Sequence, residues 1–340
     1  MSELPRISLR VDGSITPAAC VELARAADSA GFAGVWFAEN AFARGILPSA
    51  AACGIATRKL RINAGVFNPY SRHPTMMAME VGALDELCGG RATLTIGTGI
   101  ISATERIGLN PEKPVLALRD AITIVRELLS GREIDHLGPF FSAKRVKLDY
   151  KPRSDIPIFL AGRGNLTVRL SGESADGLIV SNMCSLEFAG QLASLMQSTR
   201  RASGRLGAGE VVQHMPCSVD RNPRHAIETA KLAVADMLPR FWALGQKLGS
   251  AKEALLSGTK ISEHEFSGAD ARLRAGENPA QVLDDRYPAM FSLAGTPESC
   301  VVRAREYKKA GITELALTFS GPNAVEEITA LGKAVESGSH

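Results

Sequence analysis

The chain has 340 residues, and its 39 Lys and Arg against 36 Asp and Glu leave a formal charge of +3. That balance excludes a polybasic tail for nucleic acid or a membrane surface, and 45% hydrophobic with 22% charged residues excludes a disordered chain. No run approaches the roughly 18 apolar residues of a membrane span, MSELPRISLR has no signal-peptide core, and the six cysteines form no C-x-x-C pair, so a reduced, cytoplasmic protein without structural zinc is expected.

Strand-like and helix-like segments alternate from the start. Ile7 to Val11 is a short apolar strand, and Thr16-Pro17 follows as a cap residue before a helix-opening proline. Cys20, Leu23, Ala24 and Ala27 recur at helical spacing until Gly31. Val35 to Ala38 reads as the second strand and Ile46 to Ala56 as a helix. Leu60, Ile62, Ala64 and Val66 alternate with Arg61 and Asn63, which places strand three there. Pro74 opens a helix to about Leu87, and Ala92 to Ile96 is the fourth strand. Pro114 opens an amphipathic helix carrying Val115, Leu118, Ile122, Val125 and Leu129, and Gly131 closes it. Residues 132–156 break the rhythm around Gly138-Pro139, which suggests a hairpin excursion. Ile156 to Leu160, Gly177 to Val180 and about 211–219 continue the strands, with helices at Leu166 to Ala175, about 186–203 and after Asn222-Pro223. Residues 240–292 lose the alternation and read as a lid-like insertion of short helices and loops. Thr296-Pro297-Glu298 starts a helix, Thr313 to Phe319 is the last strand, and a helix over about 323–336 follows. The final SGSH reads as a loose end or a cloning remnant.

Eight strands alternating with about eight helices point to an α/β parallel sheet. A doubly wound dinucleotide fold would put G-x-G-x-x-G after strand one, where Val11-Asp12-Gly13-Ser14 stands instead. A (β/α)8 TIM barrel with insertions, one domain over 1–340, is therefore expected. Its site would lie at the C-terminal ends of the strands. Those ends hold no H-x-H or H-E-x-x-H, and the chain has no G-x-S-x-G, so neither a metal hydrolase nor a serine hydrolase is expected, and no metal ligand is assigned.

The strand ends are instead rich in glycine and small polar residues. Gly97-Thr98-Gly99 follows strand four, and Gly162-Arg163-Gly164-Asn165 follows strand five into a helix. Glycines let a ligand approach the backbone, and a helix start attracts an anion. Tight βα turns with no ligand suit the same residues. The most specific stretch is INAGVFNPYSRHP over 62–74, where two prolines and a glycine fix an irregular backbone at the end of strand three.

AGVFNPYSRHP (64–74), LDELCGGRATLTIGTG (84–99), PVLALRDAITIVRELLSG (114–131), IPIFLAGRGN with SADGLIVSN (156–165 and 174–182) and AGTPESCVVRAREYKKAGI (294–312) together resemble the bacterial luciferase-like superfamily of flavin and deazaflavin oxidoreductases. The likeness is greatest to the methylenetetrahydromethanopterin reductase branch, which uses coenzyme F420. The resemblance implies a (β/α)8 barrel with the coenzyme in its C-terminal mouth. It implies a non-prolyl cis peptide at Gly65-Val66, in a bulge that presses on the coenzyme's middle ring, with Asn68 just beyond. It places the coenzyme phosphate on Gly162, Gly164 and Asn165 with Ser181 and Asn182 nearby, and the strand-four residues Gly97, Thr98 and Gly99 are expected against the coenzyme as well.

Three strand ends depart from that family. The acidic residue and histidine that end strand two are Glu39-Asn40 here, expected to contact coenzyme or substrate. The glutamate that ends strand one in the reductase branch is Arg10, and the aspartate after the strand-four glycines is Ile100. Pterin reduction loses both carboxylates, while Arg10 suits an anionic or carbonyl-bearing substrate, so Arg10, Glu39 and Asn40 are the catalytic candidates. The expected activity is F420-dependent hydride transfer between deazaflavin C5 and a small organic substrate. An FMN-dependent monooxygenase fed by a separate flavin reductase is the alternative, and an inactive flavin-binding barrel is the third. A homodimer through the helices after strands two and three is expected on family grounds.

Overall fold

In the computed structural model, residues 3–338 are described, and Ser339 and His340 of the terminal SGSH lie outside them. The strands are β1 (Arg6–Asp12), β2 (Gly34–Ala38), β3 (Arg61–Phe67), β4 (Ala92–Ile96), β5 (Ile134–Leu137), β6 (Ser142–Val146), β7 (Ile158–Ala161), β8 (Gly177–Val180), β9 (Glu210–Val219), β10 (Leu293–Gly295) and β11 (Glu314–Phe319). They run in the order β10-β9-β11-β1-β2-β3-β4-β7-β8, and β8 pairs back onto β9, so eight parallel strands close a TIM barrel. β10 stands outside that ring and pairs only with the end of β9, Leu293 opposite Cys217.

Each barrel strand lies within one or two residues of its expected position, because strands buried on both faces stand out as apolar runs. Two elements have no counterpart in that expectation, β10 and the short helix Ile101–Arg106 after β4. The excursion is an antiparallel hairpin of β5 and β6. Asp120 of the helix Pro114–Leu129 fastens it by accepting from the Phe140 and Phe141 amides at 2.9 and 3.2 Å. The insertion starts later than position 240, because the helix Pro223–Gly245 runs on through Pro239. Its short helices pack on that long helix around a core of their own, with Trp242 stacked on Phe266 at 5.4 Å beside Tyr287 and Phe291.

Alternation along each strand turns every second residue into the barrel. At the N-terminal end this sequence places Arg6, Arg61, Glu210 and Glu314, the first residues of β1, β3, β9 and β11. They form one ion network, in which Glu314 accepts from Arg6, Arg61, the Ser8 hydroxyl at 2.6 Å and the Trp36 indole. Burial opposes the charge of Arg61, but Glu314 and Glu210 outweigh it and raise its pKa. Above that network lies a dry layer of Trp36, Phe159, Ile179, Val212 and Ala316. Above the dry layer is the mouth.

Candidate active site

The strand-three bulge forms one wall of the mouth. The β3–β4 register shifts between Ala64 and Phe67, and the Gly65–Val66 peptide bond is cis. Only glycine fits position 65, since φ is +145° and a Cβ would sit 2.3 Å from the Thr95 carbonyl oxygen. Gly97 is needed too, because a Cβ there would meet Val66 Cγ1 at 2.6 Å. Gly99 takes a left-handed φ of +63° beside Asn68, and Thr98 links the two glycines. The Asn68 side chain is committed within the loop, donating to Thr104 Oγ1 at 2.8 Å and accepting from the Tyr70 amide at 3.0 Å.

The second wall carries an uncapped helix start. Gly164 precedes the helix Asn165–Ser174 with no side-chain cap, and nothing lies within 4 Å of where its Cβ would stand. The first helical amides, beginning with Asn165, therefore keep the partial positive charge of a helix start. Gly162 is held close to Thr167, and its amide donates to the Ile179 carbonyl. Arg163 donates to the Ser181 hydroxyl, yet its Nη1 is buried without a partner, as is Asn182 Oδ1. The Arg163 guanidinium lies 5.1 Å from the Phe241 ring centre, which ties this wall to the long helix under the insertion.

The end of β2 supplies a shared arginine. Arg72 donates to Glu39 at 3.1 Å and also pairs with Glu80, over the Phe67 ring at 4.1 Å. Burial pushes the Glu39 carboxyl up against the pull of Arg72, and Glu80 adds to the rise. Asn40 turns instead to Asp12.

Arg10 stands on the floor of the mouth with neighbours that sequence reasoning did not assign. Its Nη1 donates to Thr318 Oγ1 at 3.1 Å and reaches Asp12 at 3.4 Å, and burial lowers its pKa. Burial opposes the charge of Asp12 as well, but bonds from Ser14 and the charge of Arg10 leave its pKa lowered. His214 of β9 faces the same space, and burial with the Arg10 charge holds it neutral, far below the ordinary histidine range. Gln213 points the other way, donating to the Ser181 and His214 carbonyls at 2.9 and 2.8 Å. Among the described residues no group of three His, Cys, Asp or Glu is placed to hold a metal ion, and no helix is long and apolar enough to cross a membrane.

A family model for luciferase-like monooxygenases matches residues 4–314, nearly the whole barrel. The chain belongs to the luciferase-like monooxygenase family. Within it, the chain is 28% identical over 318 residues to a 5,10-methylenetetrahydromethanopterin reductase of Archaeoglobus fulgidus, covering 91% of this chain and 92% of that one. It is 26% identical over 305 residues to an F420-dependent glucose-6-phosphate dehydrogenase of Microbacterium testaceum, covering 88% and 84%. The fold matches the F420-dependent tetrahydromethanopterin reductase of Methanopyrus kandleri with a TM-score of 0.83 at 22% identity over 100% of both chains. It also matches the FMN-bound oxygenating constituent of 3,6-diketocamphane monooxygenase from Pseudomonas putida, with a TM-score of 0.70 at 15% identity over 98% of both chains. The open helix start beside the unmet Arg163 and Asn182 atoms suits the phosphate of a coenzyme.

Proposed function

We propose that the chain is a coenzyme F420-dependent oxidoreductase that moves a hydride between deazaflavin C5 and a small organic substrate. The observation that carries this reading is the end-to-end likeness to relatives named for F420-dependent oxidation or for tetrahydromethanopterin reduction. Bound there, the deazaflavin would supply two electrons as a hydride. Arg163, Gly164, Asn165, Ser181 and Asn182 would hold its phosphate, and the Gly65–Val66 bulge with Gly97 would back its ring. The protein's part is then to orient the ring and substrate and keep water out. The two departures at Arg10 and Ile100 argue against a pterin as that substrate.

Titration of the coenzyme-free protein with F420 and with FMN, followed by fluorescence, tests the proposal. Tight binding of F420 alone is the expected result. Tight binding of FMN alone, with oxygen uptake on supplying reduced FMN, would replace it with the monooxygenase reading and a partner flavin reductase. We also propose a homodimer through the helices Ile46–Ala56 and Pro74–Leu87, whose Ile55, Met76, Met79 and Leu87 are exposed. A monomeric mass by light scattering would refute it. Six free, buried cysteines support a cytoplasmic setting.

A further inference from the structure

Arg10, Thr318 and His214 stand on three strands adjacent in the ring, β1, β11 and β9. All three face inward directly above the dry layer of Trp36 and Ala316. Arg10 spends Nη1 on Thr318 and Asp12, while its Nε is buried with no partner. His214 is 5% exposed, and its Nε2 is likewise buried with no partner. Its ring lies 6.3 Å from Trp36, and Arg10 is near enough for its charge to act on it. Arg240 of the long helix, 5.3 Å from the Phe241 ring centre, is near enough for its positive charge to act on Arg10 and has no carboxylate partner among the described residues. Arg10 thus has one carboxylate neighbour, Asp12, and one unpaired guanidinium, Arg240, to set against it, beside two unmet nitrogen atoms.

An arginine fork with donors to spare matches a carboxylate in shape and in charge. A neutral ketone would satisfy one donor and leave the positive charge unbalanced. We propose that Arg10 and His214 bind a carboxylate of the substrate, so that the substrate is a small carboxylic acid. This deepens the function proposed above and rests on it. The coenzyme's own acidic groups are the other source of a carboxylate. The phosphate-suited wall, however, begins on β7, across the ring from β1.

The test compares two probes of one shape, pyruvate and pyruvamide, in which a neutral amide replaces the carboxylate. Binding is read by calorimetry on the protein with and without F420. Pyruvate is expected to bind at least about tenfold tighter than the amide, with F420 present as well as absent. Arg10→Gln should remove that preference, Arg10→Lys should restore part of it, and His214→Asn should weaken pyruvate several-fold. Thermal midpoints check that each variant is folded, and the lysine and asparagine variants suffice if the glutamine variant is not. Equal binding of the two probes, an unchanged preference in the folded Arg10 variants, or displacement of pyruvate by F420 would each overturn the proposal. A protein that binds F420 and reduces only uncharged ketones also overturns it, while leaving the F420 reading intact. Failure to bind F420 sinks the F420 reading, and the probe preference still decides the carboxylate site.

Discussion

The two ends of the barrel use the same strands and opposite polar chemistry. At the N-terminal end Arg6, Arg61, Glu210 and Glu314 pair with one another, and Ser8 and Trp36 add donors to Glu314. At the C-terminal end Arg10 Nε, Arg163 Nη1, Asn182 Oδ1 and His214 Nε2 are buried without protein partners. A buried polar atom left unpaired costs about 1–3 kcal/mol. One end therefore stabilises the fold, and the other carries a cost that a bound ligand would offset. Only β1 and β9 give a residue to both sets, so a change at one end separates stability from binding.

The largest effect should come from the closed end. Glu314→Gln removes the one fully buried carboxylate of the network, which serves Arg61, the Ser8 hydroxyl and the Trp36 indole, and should lower stability by about 3–5 kcal/mol in urea denaturation. Coenzyme affinity per folded molecule should not change, and a loss under about 1 kcal/mol would erase the contrast between the ends. Arg163→Gln should do the reverse. Stability should stay within about 0.5 kcal/mol, while F420 affinity in a fluorescence titration falls roughly ten- to hundredfold. Gly97→Ala drives a methyl into Val66 and should cost about 1–3 kcal/mol, along with weaker coenzyme binding. An unchanged melting curve and unchanged affinity would show that the bulge yields freely.

The smallest effect is one of pH. Folded His214 is held neutral, so as pH falls past the ordinary histidine value of 6.5 the unfolded chain takes a proton first. Its contribution to stability is present above that value and is lost as pH falls toward the folded pKa. His214→Leu should flatten this acid limb, and at neutral pH should leave stability equal or higher by up to about 1 kcal/mol. An acid limb identical in the two proteins would refute the assignment.

Much of this architecture is legible in the sequence. The eight barrel strands are apolar runs set between helix caps, and Thr16, Thr296 and Asn222 each cap the helix expected after them. Arg10, Glu39 and the glycines stand out because they end strands or depart from a family pattern. His214 does not, because β9 reads EVVQHMPCSV and is buried on both faces, so alternation does not reveal which side faces inward. The sequence nonetheless carries a signal for it. Each inward charge that opens a strand has its mouth residue four places on, as in Arg6 and Arg10, Arg61 and Gly65, Glu210 and His214, Glu314 and Thr318. Asp12 follows the same alternation from Arg10. The partner of Arg163 and the commitment of Asn68 to its own loop depend on tertiary packing and leave no trace in spacing.

The helical insertion has a hydrophobic core separate from the barrel's, built on Trp242, Phe266, Tyr287 and Phe291. It connects to the ring through one long helix at its start and through β10, held at the tip of β9, at its end. Met183, beside Asn182, belongs to that core, the Ser185 amide donates to the Ala254 carbonyl at 3.0 Å, and Phe241 lies against Arg163. Natural variation inside the insertion therefore bears on the wall that would hold the coenzyme, and a graft that exchanges it between relatives would have to carry residues 182–185 along.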